Sequence, residues 1–279
     1  KKVGSSVQIS KKKKRQKAHI LLTAALSLTA ILIIAIVMLT VTLVNYGRNG
    51  KLYEQARLNA VWTNEPISTP APSGISPKTT LLTEPRETPP ILVDFANVQE
   101  DGPNVLSWLY SSDTQINYPV VIYTDNKHYL THDYTGSHNS SGALFFDFRL
   151  TKQLIGDNLI IYGHHMKDRS MFGSLLQYQK QTYYEAHPIM YLMTPDKNYR
   201  IDLFAARFTD SEQDNFPIQF DSEQKRRTFV QTAIANSTFK PDDASYHSDA
   251  QIISLVTCAY SDYIQDSKFQ VQVLLVQIG

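Results

Sequence analysis

The sequence predicts a mainly β domain, a closed or nearly closed barrel with helical insertions, carried behind one N-terminal transmembrane helix. Three observations lead there. Residues 20–44, "ILLTAALSLTAILIIAIVMLTVTLV", hold no charge, no Pro and no Gly. Seven strand-like runs rich in Val, Ile, Phe and Tyr follow from residue 118 onward, several alternating with polar residues. Only two helical intervals, near 168–187 and 221–236, interrupt those runs, so strands have to supply most of the core.

The elements follow in order. Residues 1–19 carry "KK" and "KKKKRQK" with no acid among them, a basic tail. The apolar stretch at 20–44 amounts to roughly 37 Å of helix, enough to cross a bilayer with some tilt. It is longer than the apolar region of a cleaved signal peptide, so an uncleaved anchor is expected. Lysine and arginine cluster before it, and only Arg48 and Lys51 follow closely. By the positive-inside rule the N-terminus is cytoplasmic and everything after about residue 45 extracellular, in a single-pass cell-membrane protein. A formal net charge of +1 argues against a general nucleic-acid binder.

Residues 45–90 open with a helical "GKLYEQARLNAVW" at 50–62. They continue through a Ser/Thr-rich segment with seven prolines, expected as a semi-extended linker that holds the external domain away from the bilayer. A folded domain is expected over 91–279. It begins with a helical stretch around 94–110 that ends in "VLSWLY". The strand runs are then "YPVVIY", "GALFFDF", "NLIIYGH", "IMYLMT", "YRIDLFAARF", "IISLVTC" and "FQVQVLLVQI".

Cys258, the only cysteine, ends "IISLVTC". Outside a membrane cysteines usually pair, so a single one is an intermolecular partner, a free reactive thiol or a small buried hydrophobe. A nucleophilic thiol needs a proton acceptor or a cation nearby. In "DNLIIYGHHMKDRSMFGSLL" an apolar strand ends in Tyr-Gly, and Gly163 lets the backbone turn and present His164 at a rim. A histidine there also fits an ordinary surface or capping role. Lys268, just before the last strand, reads as a solvated lysine or as a donor to an oxyanion. His128 and His132 in "HYLTH" have the spacing of a helical metal pair, but their loop-like setting and the lack of a cysteine cluster disfavour a metal site.

These segments together resemble the class B sortases. "IYGHHM", "KDRSMFGSLLQY" and "LVTC" match that class in order. So do the upstream "WLYSSDTQINYPVVIYTDNKHYLTHDYTGSHNSSGALFFDFR" and the later "HPIMYLMTPDKNYRIDLFAARF". The similarity covers about 91–279. It implies an eight-stranded sortase-type β-barrel and a membrane-anchored cysteine transpeptidase of Gram-positive bacteria, with no cofactor and no metal. By position His164 is the family's catalytic histidine, and Cys258 its nucleophile. Lys268 stands where the family has its catalytic arginine. No arginine follows Cys258, His165 replaces a frequent Asn, and Val256 a frequent Ser. Leu130 and Thr257 fall at expected substrate contacts.

The implied partners are secreted proteins bearing a C-terminal sorting signal and an amine acceptor from cell-wall precursor or a pilin. Cleavage would pass through a thioacyl enzyme. Lysine offers one compact ammonium where arginine offers a planar fork, so a slower but active enzyme is expected. The alternatives are a sortase-like protein that binds sorting signals without turnover and a membrane-anchored cysteine hydrolase.

Overall fold

The computed structural model describes residues 3–63, 88–150, 153–210, 216–241, 251–258 and 267–278. The chain divides between Gly50 and Lys51 into two compact units. In the first, helix α1 (Val3–Ala60) runs through the apolar stretch. Its Leu, Ile and Val side chains from Leu21 to Val44 stand exposed. The helix is a candidate membrane span by length and composition.

The second unit begins well before 91. The last turns of α1 bury Tyr53, Ala56 and Ala60 in its core, at the i, i+3, i+7 spacing of one helix face. Strand β1 (Val61–Thr63) then pairs antiparallel with β2 (Ile91–Val93), bringing Thr63 opposite Ile91. The proline-rich stretch lies outside the described residues at 64–87, but its two flanks are neighbours in one sheet.

The helix expected over 94–110 stops early. Helix α2 is only Phe95–Asp101, capped by the Asp94 carboxylate on the Asn97 N–H at 3.1 Å. Gly102 and Pro103 end it, since a residue before proline is biased away from the helical region. "VLSWLY" becomes strand β3 (Val105–Tyr110), and Trp108 and Leu109 are fully buried in the main core. Burial on a pleated surface overrides the local helical reading.

The remaining strands fall where expected, while the helical interval expected over 168–187 resolves into a 3₁₀ stretch, Gly173–Gln179, and a six-residue helix. The elements are β4 (Asn117–Val121), β5 (Leu144–Phe146), β6 (Asn158–Tyr162), α3 (Gln181–Ala186), β7 (Ile189–Met193), β8 (Asn198–Asp210), α4 (Glu223–Ala235), β9 (Gln251–Cys258) and β10 (Ser267–Ile278). Eight strands close a barrel in the order β10-β8-β7-β3-β4-β5-β6-β9, with β9 returning to β10. Most neighbours are antiparallel, but β4–β5 and β6–β9 are parallel.

Two faces follow from the strand period of two. Leu159 and Ile161 of β6, Ile253 and Leu255 of β9, and Phe269, Val271 and Val273 of β10 point into the main core. The alternate residues face outward. There Ile252 packs with Phe204 beneath Val230 and Ala233 of α4, and Ile160 and Val256 pack beneath Phe216.

Candidate active site

The site grows from the parallel pair β6–β9. Parallel strands end at the same rim, and their register runs from Asn158 opposite Ile252 to Tyr162 opposite Val256. The pairing continues past the last rung. The Gly163 N–H donates to the Val256 carbonyl at 3.1 Å. The Thr257 hydroxyl donates to the Gly163 carbonyl at 2.8 Å. The next positions, His164 just past β6 and Cys258 at the end of β9, therefore leave the same rim of neighbouring strands. Across the other edge of β9, Cys258 is the register partner of Lys268 on β10. The fold brings a histidine from the end of β6 to the same rim as a cysteine and a cation on the consecutive strands β9 and β10. Cys258 is placed by its backbone; its side chain lies outside the described residues.

Gly163 is required by space. A Cβ there would stand 2.4 Å from Leu144 Cδ2 and 2.7 Å from the Phe172 ring. The chain turns at that contact, and the imidazole of His164 comes out half-buried with its Nε2 2.7 Å from the Leu130 carbonyl oxygen. A carbonyl only accepts, so Nε2 carries the hydrogen and Nδ1 is the nitrogen open to proton exchange. Leu130 ends a short 3₁₀ turn, His128–Leu130, which the Asp125 carboxylate caps through the backbone N–H groups of Lys127 and His128. The Leu130 side chain is 37% exposed beside the histidine, where a substrate contact was expected.

Thr257, the other expected substrate contact, is 2% exposed and its hydroxyl donates to the Gly163 carbonyl, which braces the β6–β9 junction. Val256 is buried with Ile160 and Phe216. His128 and His132 stack face to face, with centroids 4.1 Å apart and planes 9° apart, and Tyr123 stacks on His128. Parallel rings do not converge on a shared ion, and among the described residues no cluster of three His, Cys, Asp or Glu side chains gathers. Burial lowers the His165 imidazole below the usual histidine range.

A network that was not legible in the sequence lies beside the row. Asp147, just past β5 and 1% exposed, accepts from Arg149 Nε at 2.8 Å and Arg149 Nη2 at 3.0 Å. It also accepts from Asn126 Nδ2 and the Tyr162 hydroxyl, both at 3.1 Å. Burial pushes the Asp147 carboxyl up, but the hydrogen bonds from Arg149 and Asn126 outweigh it and hold the group below its ordinary value. Burial and the neighbouring carboxylate raise the Tyr162 phenol.

Asp147→Asn should cost about 2–3 kcal/mol near neutral pH, less than a fully buried pair because Arg149 is partly exposed. A depressed carboxyl pKa contributes stability that is complete above the unfolded value of about 3.9 and is lost as pH falls through the folded value. The gap between wild type and variant should therefore be constant from about pH 5 to 7 and close in acid. Urea titrations across that range check it; a gap that grew on acidification would contradict the assignment.

A closed eight-stranded barrel whose β6 and β9 ends align a histidine with a cysteine is the architecture of a sortase, an enzyme of the cysteine-transpeptidase kind. The chain is 30% identical over 187 residues to sortase B of Listeria monocytogenes, across 66% of this chain and 74% of that protein. It belongs to the class B sortases. Sortase B of Staphylococcus aureus is 31% identical over 170 residues, across 60% of this chain and 69% of its own length. The crystal structure of Bacillus anthracis sortase B in complex with AAEK1 superposes with a TM-score of 0.67 at 26% identity. That match covers 84% of this chain and 99% of the other. A Staphylococcus aureus sortase B–substrate complex superposes with a TM-score of 0.62 at 26% identity, over 66% of this chain and 85% of the other. No protein-family model matches the chain.

Proposed function

We propose that Cys258 attacks the scissile carbonyl of a sorting signal on a secreted protein, on the outer face of a membrane to which α1 anchors the chain. The thiolate forms the C–S bond, and the peptide C–N bond breaks as His164 delivers a proton from Nδ1 to the leaving amine. Lys268 donates to the oxyanion of the tetrahedral intermediate. An incoming amine from cell-wall precursor or a pilin then gives up a proton to His164, attacks the thioester and releases Cys258. The observation that carries this reading is the row His164–Cys258–Lys268, drawn from three separate strand ends.

Trapping tests it. The chain in detergent micelles is mixed with a library of fluorogenic peptides carrying Thr at the scissile position. Intact mass and peptide mapping then look for an acyl adduct on Cys258. Triglycine is added as amine, and ligated and hydrolysed products are separated. An adduct on Cys258 with ligation exceeding hydrolysis is expected. An adduct that gives only the free acid with triglycine present points to a hydrolase. Peptide binding without any adduct would establish the non-catalytic reading, which Lys268 and Val256 favour.

A further inference from the structure

We infer that Phe216 is a positioning residue for the oxyanion donor, a fixed aromatic platform that lets a lysine act where the family carries an arginine. The inference rests on the reading of Lys268 as that donor. Lys268 Nζ lies over the Phe216 ring, 5.7 Å from its centroid. Among the described residues no carboxylate lies within ion-pair distance of Lys268, so the ring is the group that attracts its charge. A cation above an aromatic face is held by the ring quadrupole without being neutralised. The ammonium stays available to an oxyanion.

The ring is itself anchored on its far side. Three consecutive carbonyls of its segment are tied to the β5 and β6 ends. Arg149 Nη2 donates to the Phe216 carbonyl at 3.1 Å, and Asn158 Nδ2 to the Pro217 carbonyl at 2.9 Å. The backbone N–H groups of Asp157 and Asn158 both donate to the Ile218 carbonyl, at 2.9 and 3.0 Å. Phe216 is buried against Ile160 and Val256, the outward residues next to the catalytic row. Arg149 is locked in turn by Asp147. The chain of contacts therefore runs from a buried carboxylate, through a guanidinium and a backbone carbonyl, to the ring beneath Lys268.

The physical need is specific to lysine. An arginine fork is planar and loses little freedom for each hydrogen bond it makes, whereas a lysine carries its charge on a flexible four-carbon stem. Ordering that stem during the reaction would slow it. A ring already held in place confines the ammonium beforehand, which is what a donor must have to favour the transition state over the ground state. Val256 fits the same design, because its apolar side chain supports the ring.

The test is a double-mutant cycle in the chain in detergent micelles, using the library peptide it cleaves fastest and reading single-turnover acylation. Phe216→Leu is expected to lower the acylation rate about three- to tenfold with KM little changed, and Phe216→Tyr to restore it. In a Lys268→Ala background Phe216→Leu should add no further loss. A second measurement does not depend on turnover. In protein with 13C-labelled lysine, the Lys268 Hε signal should show a ring-current upfield shift that disappears in Phe216→Leu. Additive losses, or an unshifted Lys268 signal, overturn the platform while leaving Lys268 as donor. If Lys268→Ala itself leaves acylation unchanged, the donor reading falls and the platform with it.

Discussion

His164→Ala should lower the rate of peptide acylation by about 10²–10⁴-fold, the usual contribution of a positioned acid–base group. The geometry specifies which nitrogen matters. Nε2 is held by the Leu130 carbonyl, so in the proposed mechanism the proton for the leaving amine comes from Nδ1. Cys258 stays in place in the variant, because β9 is held by its ladders to β6 and β10 rather than by the imidazole. Folding, followed by thermal unfolding, is expected to change little. Rapid-quench acylation at several pH values checks the prediction. A loss of less than about tenfold would remove His164 from the proton transfer and reopen the search for the acid.

Gly142→Ala should damage stability and activity together. Gly142 has φ of 60°, a left-handed conformation that costs a side-chain-bearing residue about 1–2 kcal/mol. Its Cβ would also stand 2.3 Å from the Tyr129 carbonyl oxygen and 3.1 Å from that of Leu130. These are backbone atoms of the 3₁₀ turn, and they cannot swing aside as a flexible side chain would. The Leu130 oxygen is the one that holds His164. We expect a loss of about 2–4 kcal/mol in urea unfolding. The fall in acylation should exceed what the unfolded fraction explains, because the turn must move away from the imidazole. The Tyr53 hydroxyl donates to the Gly142 carbonyl at 2.7 Å, so the helix leading from the apolar segment bears on the same point. An unchanged urea midpoint would show that the turn has room the geometry denies it.

The strands were legible because each run is long, rich in β-branched and aromatic residues, and bounded by turn residues. Trp108 shows the limit. Gly102 and Pro103 mark a local break after the capped helix, but nothing local says that "VLSWLY" beyond it is a strand rather than further helix. The decision comes from burial of Trp108 and Leu109 in the barrel. The proline-rich stretch shows a different limit. Its composition denies it a core, but the pairing of Thr63 with Ile91 on either side of it is written in no local pattern.

The site divides along the same line. His164, Cys258 and Lys268 were candidates because each lies at the end or start of an apolar strand, and the family resemblance is what singled them out. Their assembly was not legible there, since register between strands that are distant in sequence depends on which faces are buried together. Thr257 looked like a substrate contact from its place beside the cysteine, yet the close approach of Gly163 takes its hydroxyl inward.

Residue chemistry and the periods of apolar runs, both local, pointed to the barrel and the candidate reactive groups, and the ordered motifs carried the resemblance to the family. The tertiary structure alone decided which nitrogen of His164 is free, and that Asp147 and Arg149 hold the Phe216 segment against Lys268. Those are contacts between segments that only barrel closure brings together, so no stretch of the chain read alone contains them.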